Sequence, residues 1–168
     1  MAYSEPLGYF LTWTTYGTWL PGDERGSFMK PGVWKGPDAH RRMMSQLLMT
    51  ENAITLDLRQ RQEVEATIAR HCEIRQWHLS AVNCRSNHVH VVVTAPDIDR
   101  EDVMDQFKAW CTRHLKTLAR QLKQIDRAER KKWWTRGGSK PFLYTDAELY
   151  SATKYVLEEQ EGERFKEP

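Results

Sequence analysis

The stretch Gln76–Pro96, QWHLSAVNCRSNHVHVVVTAP, decides how the rest of the chain is read. Its second half is rich in valine and ends at a proline, the pattern of a strand and its terminator. Its middle, Asn83 to Asn87, gathers Asn, Cys, Arg and Ser, residues that suit a turn or bulge. Two antiparallel strands fit, over about 75–83 and 87–94. On the second, the two-residue period puts His88 and His90 on one face while Val89 and Val91 point to the other. Adjacent imidazoles on one face can approach a single cation, but such a pair is equally what a half-exposed strand carries as ordinary polar residues.

Outward from this hairpin the periodicity changes. Upstream, Arg59 to Cys72 places Val64 and Ile68 on one side of a helix that should pack on a sheet. Tyr9 to Leu20, YFLTWTTYGTWL, is aromatic and threonine-rich with partial alternation, and is read as a strand and its exit. Between Pro21 and Pro37 the recurring Gly and Pro predict an extended arm, followed by a short helical stretch within 38–52. Downstream, Asp99 caps a long helix to about Gln124, with Val103, Phe107, Cys111, Leu115, Leu118 and Leu122 as its apolar stripe. The segment 131–143 predicts a short strand or hairpin. A last helix starts after Thr145, with Glu148 as the reciprocal partner of the cap.

These elements predict one α/β (α+β) domain. It has an antiparallel sheet of four or five strands and helices mainly on one face. A single unit over residues 1–160 includes the arm at 21–52, and 161–168 forms a polar tail. The 168 residues suit one substantial core. Lys and Arg number 25 against 23 Asp and Glu, which excludes a uniformly basic or uniformly acidic chain. The average hides a contrast between the basic stretch 108–132 and the acidic stretch from Asp146 onward. Three widely spaced cysteines provide neither a disulfide framework nor a CxxC zinc motif. With no signal-like N-terminal run and no apolar span, the expectation is a cytoplasmic protein without a membrane partner.

Two further groups carry chemistry. Tyr155 and Glu159 lie four residues apart on the last helix and share a face. A phenol oxygen can attack phosphorus, and a carboxylate beside it can complete a His-His-Glu cation site; equally, both suit a helix boundary and its solvated side. Lys108, Arg113, Lys116 and Arg120 on the long helix, with Lys131, Lys132, Arg136 and Lys140 beyond it, suit phosphate contacts, as do Arg85 and Asn87 beside the histidines. Trp133, Trp134 and the Trp13, Tyr16, Trp19 group are candidates for base stacking.

Taken together, YFLTWTTYGTWLPGD, HLSAVNCRSNHVHVVV and LYSATKYVLEEQ resemble the single-tyrosine HUH transposases, especially the REP-associated tyrosine transposase branch. The likeness runs over nearly the whole chain. It implies a ferredoxin-like or RNA-recognition-motif-like sheet order, with His88 and His90 as metal ligands and Tyr155 as the DNA-cleaving nucleophile. Glu159 falls where the family often has an amide that completes the metal site, with Gln160 and Glu158 as neighbouring alternatives. The YVLEEQ segment departs from the Asn-Pro ending of related members. The resemblance further implies cleavage and rejoining of hairpin-associated single-stranded DNA through a 5′-phosphotyrosine, with Mg2+ or Mn2+, no nucleotide cofactor, and a homodimer. A non-catalytic single-strand-binding module and a metal-dependent phosphodiesterase using activated water are the other classes that these residues suit.

Overall fold

The computed structural model describes residues 4–28 and 33–158; the expected tail at 161–168 lies outside them. The elements are β1 (Gly8–Thr14), β2 (Ser27–Phe28), β3 (Trp34–Lys35), α1 (Ala39–Leu47), α2 (Leu58–Arg75), β4 (His78–Cys84), β5 (His88–Thr94), α3 (Arg100–Gln121), α4 (Ile125–Glu129), β6 (Phe142–Leu143) and α5 (Asp146–Leu157). The main sheet has the order β4-β5-β1-β6, and its neighbours pair antiparallel. With the arm and the short α4 set aside, the chain runs strand, helix, strand, strand, helix, strand and then adds α5, which makes the fold ferredoxin-like. β2 and β3 form a separate small ribbon in the arm.

β5 lies inside the sheet, and its valines explain why. Val89, Val91 and Val93 join Leu11, Trp13 and Phe107 in the principal core, which α2 and α3 close with Val64, Ile68 and Leu115. Val92, on the other face, belongs to a smaller cluster with Ala81, Leu143, Ala152 and Val156 beneath α5. Helices therefore gather mainly on one face, and α5 covers part of the opposite one. A strand buried on both sides reads as a continuous apolar run, which is what Val91-Val92-Val93 provides.

Local chemistry sets the boundaries. Asp57 and Gln60 close a capping box on α2, and Thr145 and Glu148 close one on α5. α2 continues three residues beyond the expected Cys72, to Arg75, where left-handed Gln76 (φ 59°) ends it. Of the strand and exit expected over 9–20, the strand ends at Thr14. Beyond it Gly17 adopts φ 79°, and a Cβ there would lie 2.8 Å from Ala53 Cα, so the chain turns where only glycine fits. The expected strand in 131–143 is reduced to the two residues of β6, preceded by single bridges from Trp134 to Thr15 and from Ser139 to Thr12. In the arm, α1 buries none of its residues.

Candidate active site

The β4–β5 connection is short: the backbone N–H of Arg85 donates to His88 O at 2.8 Å, which brings β5 directly back beside β4. This register places His90 between Thr12 of β1 and Asn83 of β4, and His88 opposite Thr14. Directly opposed residues share a face. The histidines, Thr12, Thr14, Asn83 and Phe10 therefore line the α5 side of the sheet.

His88 and His90 have ring centroids 4.7 Å apart. His88 Nδ1 lies 2.6 Å from Asn87 Oδ1, and an amide oxygen only accepts, so Nδ1 is the donor. His90 Nδ1 is 2.8 Å from Thr12 Oγ1. That hydroxyl fixes the ring and leaves Nε2 as its other polar atom, the arrangement that orients imidazole ligands in metal sites. Burial, reinforced by His88 and by the Arg85 cation, lowers the His90 pKa to about 4. The imidazole is thus neutral at physiological pH, the protonation state a cation requires.

α5 brings Tyr155 to this face. Its ring centroid is 5.8 Å from that of His90 and 6.1 Å from that of Phe10, and Phe10 is itself 5.7 Å from His90. Tyr155 is 37% exposed, while its neighbour Val156 is fully buried and anchors the helix. Asn83 Nδ2 donates to Val156 O at 3.1 Å.

The two imidazoles suit a divalent first-row ion in part, because such ions bind neutral imidazole nitrogen well. Among the described residues no group of three or more His, Cys, Asp or Glu converges, so a further donor is needed. Glu159 and Gln160 lie outside the described residues. Glu158 is exposed and pairs with Lys154 at 4.0 Å.

The basic candidates divide by location. Arg113 and Arg120 are exposed and Lys116 is half-buried on α3, which covers the sheet face opposite the histidines. Arg113 lies 4.8 Å over the exposed Trp110 ring. Lys108 is committed inward: its ammonium donates to Thr135 O at 2.9 Å and Gly137 O at 2.6 Å, and burial lowers its pKa to about 8. Lys131 and Lys132 are exposed, and their backbone N–H groups hold the Glu51 carboxylate. Arg136, exposed, lies between the two bridges that run this segment along β1, on the edge beyond Thr12 and Thr14. Lys140 reaches Gly138 O and Glu101. Arg85 is buried close enough to His90 for its charge to act there. Of the aromatic candidates, Trp13 and Trp133 are core residues, whereas Trp19 is 39% exposed.

A family model described as transposase IS200 like matches residues 48–158, which include both histidines and the tyrosine. The chain belongs to that family. No curated protein matches it. The fold of this IS200-like family member is similar to a solved structure of a REP-associated tyrosine transposase bound to a REP hairpin. The TM-score is 0.50 and the identity 16%, over 93% of this chain and 68% of that one. Among the described residues no helix is long and apolar enough to cross a membrane.

Thr12, Phe10 and Asn83 lie within the segments that carry the family likeness, but the sequence alone gives none of them a role in the site. Thr12 becomes a site residue only through its register with His90. Asn83 did carry a signal, since asparagine is depleted from strand interiors.

Proposed function

We propose that this IS200-like transposase is of the REP-associated tyrosine branch and cleaves and rejoins hairpin-bearing single-stranded DNA through a covalent ester on Tyr155. The observation that carries the reading is the placement of the Tyr155 ring against His90, on the face shared by both histidines. The fold's likeness to a hairpin-bound relative supports the class of substrate.

In this reading the Tyr155 oxygen attacks the scissile phosphorus in line. The new O–P bond forms as the bond to the 3′ oxygen breaks, and that oxygen ends as a free 3′-hydroxyl carrying the proton given up by the phenol. The product is a 5′-phosphotyrosine whose ester energy is retained, so another 3′-hydroxyl reverses the step and joins new ends without a nucleotide cofactor. His88 and His90 would hold a Mg2+ or Mn2+ ion, with Glu159 the proposed third ligand, and the chemistry such an ion would supply is withdrawal of charge from the nonbridging phosphate oxygens. Asn87 and Thr12 keep the two rings turned for that role. Arg85 adds positive charge near His90, and Arg136 lies on the sheet edge that the strand would cross. One nucleophile per chain makes a homodimer the simplest unit for two strand exchanges.

The test is incubation of the protein with a panel of labelled hairpin-bearing single strands and Mg2+ or Mn2+, read as a protein–DNA adduct on a denaturing gel. The expected result is an adduct that chelator and Tyr155→Phe abolish. Chelator-indifferent binding without an adduct would point instead to a binding module. Cleavage that survives Tyr155→Phe but not His88→Ala would indicate activated water as the nucleophile.

A further inference from the structure

We propose that Asn83 is a positioning residue whose amide latches the tyrosine helix to β4, the strand beside the histidines. β4 is otherwise built for packing here, with Ala81 in one core and Cys84 in the other. Asn83 interrupts it as a fully buried amide. Register places it directly across from His90, and its Nδ2 donates at 3.1 Å to the carbonyl of Val156, the residue after Tyr155. One side chain thus spans the two halves of the site.

The bond falls where α5 needs it. Val156 is in the last turn of α5, where a helix's final carbonyls draw on partners from outside it. The carbonyl acceptor also fixes the orientation of the amide, because the opposite flip would set two oxygens against each other. Among the described residues, Asn83 Oδ1 is then buried with no hydrogen-bond partner. An orphaned buried oxygen opposes folding, and an aliphatic side chain would fill the same position without that penalty. Packing alone does not account for the residue; the bond to α5 does. Tyr155 packs on His90 through an edge-on ring contact, and the aromatic faces alone leave the helix free to slide along its axis. The directional bond beside it sets where along β5 the phenol stops.

The latch rests on the Tyr155 reading for its catalytic meaning, so its test has a readout that needs no DNA. Asn83→Val keeps a strand-forming side chain and removes the donor. Amide hydrogen exchange of α5 is expected to rise about tenfold while α2 and α3 exchange as in the wild type. At saturating hairpin DNA the rate of adduct formation is expected to fall about tenfold, with the dissociation constant for the hairpin unchanged and the thermal midpoint kept or raised. Asn83→Leu, of similar shape but lacking the donor, tests the same bond if valine disturbs the fold. Unchanged α5 exchange in both variants overturns the proposal, as does a rate loss that merely parallels lost stability or lost DNA affinity. A wild type that forms no adduct refutes the proposed function, and the α5 exchange comparison still decides the latch.

Discussion

The substitution Val156→Ala separates the two cores. Val156 is fully buried in the small cluster of Ala81, Val92, Leu143 and Ala152, the apolar attachment of α5 to the sheet. Removing two methyl groups forfeits roughly 1.6 kcal/mol of transfer free energy, and incomplete collapse of the cavity raises the loss to about 2–3 kcal/mol. The cluster is small and shares no buried residue with the core beneath α2 and α3, so the loss falls on α5 as a local opening. At about 1.4 kcal/mol per factor of ten, 2–3 kcal/mol means roughly 30- to 150-fold faster exchange of α5 amides. Hydrogen exchange read by mass spectrometry resolves this segment by segment, with α2 and α3 expected to stay at wild-type rates. Phe107→Ala, in the principal core, costs about 3–5 kcal/mol and accelerates exchange throughout. If Val156→Ala instead speeds α2, α3 and α5 equally, the helix that carries Tyr155 is not a separate cooperative unit and the reasoning fails.

Thr12→Val keeps shape and strand propensity but removes the hydroxyl at His90 Nδ1; Mn2+ affinity, measured by titration calorimetry, is expected to fall roughly 10- to 100-fold. The pKa of His90, about 4 in the fold against the ordinary histidine value of 6.5, makes the unfolded chain the better proton binder between those values. Stability in chelator is therefore level above about pH 6.5 and falls by up to ~3 kcal/mol as the pH drops toward 4; urea titrations should show this slope, and His90→Asn should flatten it. Lys108→Met strips two loop carbonyls of their donor and should cost about 1–3 kcal/mol in the same assay. Arg113→Met, on the exposed side of α3, should change stability by less than ~0.5 kcal/mol.

Much of this site was legible in the sequence. The period of β5 places both histidines on one face, and the Thr145–Glu148 box starts the helix that bears Tyr155. These are local properties, set by side-chain period and capping within a few residues. Less was legible in the basic residues: charge alone does not distinguish Lys108, whose ammonium is held by two carbonyls, from Arg113, which lies on the outer side of α3. The exit of β1 likewise shows its glycine, while the packing against Ala53 that makes Gly17 obligatory involves residues far apart in the chain.

What the amino-acid order determined by itself was the kind of element and the face of each side chain within it, because those follow from φ/ψ preference and periodicity. The pairing of Thr12 and Asn83 with His90 was decided only in three dimensions, since register depends on which strands meet and where a bulge between Leu79 and Ala81 shifts them. The same holds for the meeting of Tyr155 with His90: residues 65 positions apart come together because β5 is buried on both faces and α5 is the element that covers the histidine side.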